Sequence, residues 1–222
     1  MQAPDIPSTN DHHSLAFDRR RVTDDVTRMF HWLFSLSFFG AYVSADNDSL
    51  LRVHKGLGYL MLMLLAFRIV WGVMGPRRAR LTSIWQRIKN IGNWIDTQKT
   101  DNHIWQMNWQ TPQNALLALS IAMLLLTTVP LVLSGYLTEN SIAANLFEEL
   151  HEFFGDFYLL LVIVHVLAIV MVSLWRQRNL ARTMVTGYVA DKGPDLVKHN
   201  HTWVAALLLA GSVSWVLYYV IR

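Results

Sequence analysis

The chain has 222 residues, 53% of them hydrophobic and only 16% charged, with nine Trp, no Cys and a formal net charge of +3. Five apolar stretches long enough, or nearly so, to cross a bilayer exclude a water-soluble globular domain. Without cysteine there is no disulfide, no iron–sulfur ligation and no thioether-attached haem.

Residues 1–28 are polar, carry Pro4, Pro7 and the run Arg19–Arg20–Arg21, and contain no apolar signal core. They read as a cytoplasmic N-terminal tail. The remainder, 29–222, reads as one integral membrane domain, with helices predicted over 29–45, 57–74, 115–137, 153–175 and 202–221. Between the second and third, Leu81, Ile84, Trp85, Ile88, Ile91 and Ile95 recur at helical spacing, with Arg87 and Lys89 off that stripe. This predicts an amphipathic helix over 81–95 lying in the headgroup region. Trp94, Trp105 and Trp109 suit an interfacial belt. The segment 179–201, with Gly187, Gly193 and Pro194, reads as a connector to the last helix.

Lys and Arg divide unevenly between the two sides of these helices, fifteen against three, the minority being Arg52, Lys55 and Arg222. The positive-inside rule then places the N-terminus in the cytoplasm and the C-terminus in the periplasm. Topology accounts for the basic excess, and no nucleic-acid partner is needed. The outer connection between the third and fourth helices carries Glu139, Glu148, Glu149 and Glu152. Such a rim can steer a cationic soluble partner, although outer loops that merely avoid Lys and Arg look the same.

Four histidines, His31, His54, His151 and His165, sit in or at the ends of the apolar segments. Imidazole is costly in hydrocarbon and rare there unless it binds something. His151 and His165 are fourteen residues apart on one segment. At about 100° and 1.5 Å per residue they share a helix face, separated by ~21 Å of depth. The predicted orientation pairs His54 with His151 toward the outside and His31 with His165 toward the inside, each pair drawn from two helices. Two haems held between helices by axial imidazoles need that arrangement. Gly58 and Gly155 lie one turn after His54 and His151, and Gly40 is in the middle of helix 1, where a macrocycle would need room.

Arg68 follows His54 by the same fourteen residues, which puts it on the histidine face at the depth of the inner pair. A haem propionate would supply the anion a buried Arg needs; snorkelling to the inner surface is the competing account. Singly, each histidine would read as a hydrogen-bonded interfacial residue. Structural zinc fits poorly, since it wants four close ligands. His12, His13, His103, His199 and His201 lie in hydrophilic stretches and read as solvated, with His12–His13 a candidate for adventitious metal. The predicted fold class is therefore all-α: a four-helix transmembrane haem-binding bundle plus a fifth, C-terminal transmembrane helix.

The entry Arg28–Met29–Phe30–His31–Trp32 resembles helix 1 of the bacterial cytochrome b561 and nickel–iron hydrogenase b-type cytochrome subunit superfamily. His54–Lys55–Gly56–Leu57–Gly58–Tyr59, then Phe67–Arg68–Ile69–Val70–Trp71–Gly72 and Gly75 with Ala79–Arg80, is similar to helix 2 of its hydrogenase-type branch. Leu150–His151–Glu152, His165–Val166, Asn179–Leu180 and Met184–Val185–Thr186–Gly187 are similar to that branch's helix 4 and its exit. The resemblance implies two b-type haems with bis-histidine ligation by His31, His54, His151 and His165. It also implies electron transfer across the cytoplasmic membrane between a periplasmic c-type cytochrome or dehydrogenase and membrane quinone. Two features depart from the branch: a fifth helix, and Thr111–Pro112–Gln113–Asn114 where its members carry Gly-His-Asn-Pro.

Six-coordinate irons leave no site for substrate, so the chain reads as an electron carrier with no catalytic side chain. Two alternatives remain. A superoxide:quinone oxidoreductase would use Arg52 and Lys55, beside His54, as a cationic funnel. A haem-free proton or metal transporter would need intramembrane carboxylates, for which Asp156 is the one candidate.

Overall fold

Hydrocarbon offers no partner to backbone N–H and C=O groups, so apolar segments of this length satisfy them internally as helices. The computed structural model describes residues 19–76, 79–100, 108–190, 194–197 and 199–221. His12, His13, Arg77, Arg78, His103, Trp105, Lys192, Gly193, Lys198, Arg222 and most of the polar tail lie outside the described residues. In order, the elements are β1 (Arg19–Arg21), α1 (Asp25–Ser44), a 3-10 turn (Asp48–Leu50), α2 (Leu51–Met74), α3 (Leu81–Thr100) and α4 (Gln110–Glu139). They continue with α5 (Ala144–Arg176), α6 (Arg182–Thr186), β2 (Tyr188–Ala190) and α7 (Thr202–Ile221).

Among the described residues four helices, α2, α4, α5 and α7, are long and apolar enough to cross a membrane. Although α1 matches α7 at 20 residues, it is diluted by Asp25, Arg28, His31 and three serines. Its buried positions, Val26, Phe30, Phe34, Ser37, Ala41 and Ser44, recur every three or four residues. That stripe packs on α2 and α7, while Leu36, Phe39 and Val43 face outward. The expected helix ends fall short of the observed ones at α4 and α5, which run 30 and 33 residues. Apolarity marks the hydrocarbon layer, whereas Glu148, Glu149 and Glu152 are good helix formers and carry α5 beyond it.

In the bundle α5 lies against α4, α3 covers α4, and α1 packs on α2, which also touches α4. Phe30, Phe34, Leu60, Met61, Leu64, Leu65, Leu131 and Tyr158 form the buried core between them. The C-terminal helix α7 closes the flank of α1 and α2. Its Trp215 Nε1–H donates to the Gly56 carbonyl at 2.9 Å, and the Asp25 carboxylate accepts from the Thr202 hydroxyl at 2.8 Å.

Two motifs far apart in sequence prove to be halves of one contact. Arg28 and Trp32, flanking His31, donate to the carbonyls of Val185 (2.6 Å) and Met184 (3.0 Å). Gly187 closes α6 at φ +81°, a left-handed conformation that suits glycine. Its carbonyl accepts from the Val22 N–H at 2.9 Å, and β1 pairs antiparallel with β2, Arg20 opposite Val189. The start of α1, and with it His31, is thereby pinned to the exit of α5.

Candidate site: two imidazole pairs in the bundle

His54 sits in the first turn of α2 and His151 in the early turns of α5. Their ring centroids are 5.8 Å apart with the planes at 89°. The His54 Nδ1 lies 2.8 Å from the Ala41 carbonyl. A carbonyl only accepts, so Nδ1 carries the proton and Nε2 keeps its lone pair. The Ala41 carbonyl is available because the end of α1 tightens, the Ala45 N–H pairing with Tyr42 O instead. His151 is held in the same tautomer, its Nδ1–H donating to the Leu131 carbonyl at 2.9 Å, with the Ser134 hydroxyl at 3.4 Å.

This last contact depends on a missing side chain. A Cβ at Gly135 would stand 2.8 Å from the His151 Cε1 and 3.0 Å from its Nδ1. Gly135 therefore lets the ring lie on α4 and reach a carbonyl one turn earlier.

At the other end of the bundle the His165 Nδ1 is 2.9 Å from the Ser120 hydroxyl. Ser120 spends its own proton on the Leu117 carbonyl, also 2.9 Å away, so its oxygen accepts from His165. His31 lies within electrostatic range of His165. Among the described residues its buried Nδ1 has no partner, and neither has the buried hydroxyl of Thr27, one turn earlier on α1.

The His54–His151 pair suits a metal held between two imidazoles. Two metal–nitrogen bonds of about 2 Å, plus ~1 Å from each nitrogen to its ring centre, need ~6 Å between centroids. The 5.8 Å separation of His54 and His151 meets this. A Cβ built on Gly58 or Gly155, one turn after His54 and His151, meets no atom of the described residues within 4 Å, so there is open space at both positions. Gly40 differs: its Cβ would strike the Leu57 side chain at 2.7 Å, which makes it a packing contact between α1 and α2. Among the described residues no three His, Asp or Glu side chains gather into one cluster.

Arg68 is 7% exposed. It donates to the Ala79 carbonyl at 2.8 Å, its guanidinium lies 5.9 Å from the Phe30 ring centroid, and Asp24 is within electrostatic range. Glu139 of the acidic rim is paired with Lys55 at 3.2 Å and accepts from the Tyr59 hydroxyl, whereas Glu148, Glu149 and Glu152 are exposed. His201 departs from the solvated role expected of it. The chain turns at φ +48° there, and the ring packs edge-on against Trp71 at 5.4 Å.

Sequence reasoning did not find Gly135, Ser120, Ser134 or the two carbonyls. A signal for the serines existed. Ser120 and Ser134 are fourteen residues apart, the spacing of His165 and His151, on a helix that packs along α5.

The pattern of prokaryotic cytochrome b561 matches residues 22–187, three quarters of the chain. No match was found among curated proteins or among solved structures. The matched region contains all four histidines, their hydrogen-bond partners and the α1–α6 contact. The chain belongs to the prokaryotic cytochrome b561 family, b-type cytochromes that carry electrons within the bacterial membrane.

Proposed function

We propose that the chain is a dihaem cytochrome b that transfers electrons between a periplasmic redox partner, a c-type cytochrome or a dehydrogenase, and membrane quinone. His54 and His151 would hold an outer haem, and His31 and His165 an inner one. The N-terminus is cytoplasmic and the C-terminus periplasmic. The observation that carries this reading is the perpendicular His54–His151 pair at 5.8 Å, with both Nδ1 protons spent on carbonyls so that each Nε2 remains a lone-pair donor. Haem b, when bound, supplies reversible one-electron transfer at its iron.

The chain's own groups orient the ligands. The carbonyls of Ala41 and Leu131 and the Ser120 hydroxyl fix ring direction and raise imidazole basicity. The Thr27 hydroxyl is assigned the same task for His31, since two orphaned polar atoms one turn apart satisfy each other after a small rotation. Arg68, buried at the depth of the inner pair, is assigned to a haem propionate, with Asp24 balancing part of its charge. A superoxide-oxidising role needs free cations beside His54, and the pairing of Lys55 with Glu139 weakens that funnel.

Haem counted per chain in the purified protein, with a reduced-minus-oxidised spectrum repeated after each His→Ala change, tests the proposal. The expected result is two haems per chain, with each substitution removing the haem of its own pair. One haem per chain, or strong carbon monoxide binding at both irons, overturns it.

A further inference from the structure

A cavity of about 870 Å³ opens at the end of the bundle where α4 begins and α5 ends, closed over by the 178–190 connector and β1. Four arginines line it, Arg19, Arg176, Arg178 and Arg182, and among its described lining residues there is no Asp or Glu. Arg176 is fixed by neutral groups: it donates to the Gln113 side-chain oxygen (2.6 Å), the Asn114 side-chain oxygen (3.0 Å) and the Gln110 carbonyl (3.2 Å). These bonds position its charge without cancelling it, and both Arg178 and Arg87 lie within electrostatic range of it. Topology alone asks only that cations lie on this side of the membrane. It does not ask four of them to converge on one concave space, where mutual repulsion is unfavourable until an anion enters.

The level of the cavity indicates what that anion is. Trp109 and Trp175, ring centroids 6.0 Å apart, form part of its wall, and Trp94 lies beyond, tilted against Trp109 at 6.0 Å. Tryptophans grouped at the ends of membrane helices mark the headgroup layer. Guanidinium matches phosphate in shape and binds it through paired hydrogen bonds. Basic pockets between membrane helices suit phosphate headgroups, and the volume is ample for one.

We propose that this cavity is a binding site for a phosphate-bearing anion, presented by an anionic phospholipid of the adjacent leaflet.

The test uses the haem-loaded protein in nanodiscs of phosphatidylcholine with increasing phosphatidylglycerol, the lipid that remains bound after extraction being measured by native mass spectrometry. Selective retention of phosphatidylglycerol is expected. Replacing Arg178 and Arg182 together by Gln should lower it by about tenfold per arginine, the value of a charge-assisted hydrogen bond. Arg178→Lys with Arg182→Lys keeps the charge and guards against a folding artefact; it should lose less, since ammonium lacks the paired geometry. Equal retention of both lipids by the wild-type protein overturns the proposal without recourse to any variant. Displacement of the lipid by millimolar inorganic phosphate overturns the lipid assignment and gives the site to a soluble phosphate compound. A changed haem spectrum or midpoint potential in the Gln variant also overturns it, because the arginines would then serve a haem propionate.

Discussion

Replacing Gly135 by Ala tests whether the His151 ring is held by its contact with α4. The added methyl would stand 2.8 Å from Cε1 and 3.0 Å from Nδ1, so the ring must retreat by roughly half an ångström to reach ordinary contact distance. That movement stretches the 2.9 Å bond to the Leu131 carbonyl to about 3.4 Å, beyond useful hydrogen-bonding range. The lost bond is worth about 1 kcal/mol, and loss of such an outer-shell partner typically costs 10–100-fold in metal affinity. Alanine is the better helix former by up to ~1 kcal/mol, so a weakened α4 cannot account for the loss. Haem content, measured per chain after dilution, should fall from two toward one, with the His31–His165 haem retained. Where the outer haem stays bound its midpoint potential should rise, since a less tightly anchored imidazole is a poorer donor to the oxidised iron. Unchanged affinity and potential at both haems would refute the reasoning.

Gly155→Ala adds only a Cβ, which meets no atom of the described residues within 4 Å, so any haem it expels reports a clash with the bound group itself; full loading would show that the open space is not the macrocycle's. Ser120→Ala removes the acceptor of His165 and should raise the potential of the inner haem, whereas Ser120→Thr should keep it near wild type; equal values in a redox titration of the two would exclude the anchoring role. Arg68→Gln removes a positive charge, which favours the oxidised iron. For a charge ~10 Å away at an effective dielectric of ~20 the inner potential should drop by about 70 mV, and no shift would separate Arg68 from the haem. Changing Glu148, Glu149 and Glu152 together to Gln should slow reduction or oxidation by a cationic c-type cytochrome about tenfold at low salt, with the difference vanishing at high salt. Equal rates at low salt would assign docking to another surface.

Periodicity made the helices legible, and the spacing of the histidines their pairing, because the bilayer imposes one simple rule on apolar length. The supports of the histidines were hidden for physical reasons. The Ala41 and Leu131 carbonyls are backbone atoms, and their use depends on a tightened helix end and on the packing of α5 against α4, neither of which has a local sequence signal. Gly135 looks like any small residue of a membrane helix. Arg68 was legible as a residue on the histidine face but not in its bond to Ala79, since that bond requires the turn between α2 and α3 to fold back. His201 misled because hydrophilic neighbours say nothing of a ring that turns onto Trp71.

The fourteen-residue interval acquires a fuller meaning from α4 and Tyr158. Two helices that pack along each other for four turns present matching positions at both ends, so a spacing set by His151 and His165 on α5 is answered by Ser134 and Ser120 on α4. Tyr158 stands seven residues from each histidine and therefore on nearly the same face. It is 2% exposed, within 3.4 Å of the Thr128 hydroxyl and with its ring 4.7 Å from Phe38. Among the described residues, Tyr158 thus joins the packed aromatic and aliphatic core, with Phe34, Met61, Leu64 and Leu131, that lies between the helices carrying the two imidazole pairs. On the dihaem reading proposed above, a bundle built this way would hold its two imidazole pairs at a fixed separation with packed side chains between them. A carrier that moves electrons across a membrane without leaking protons requires both properties.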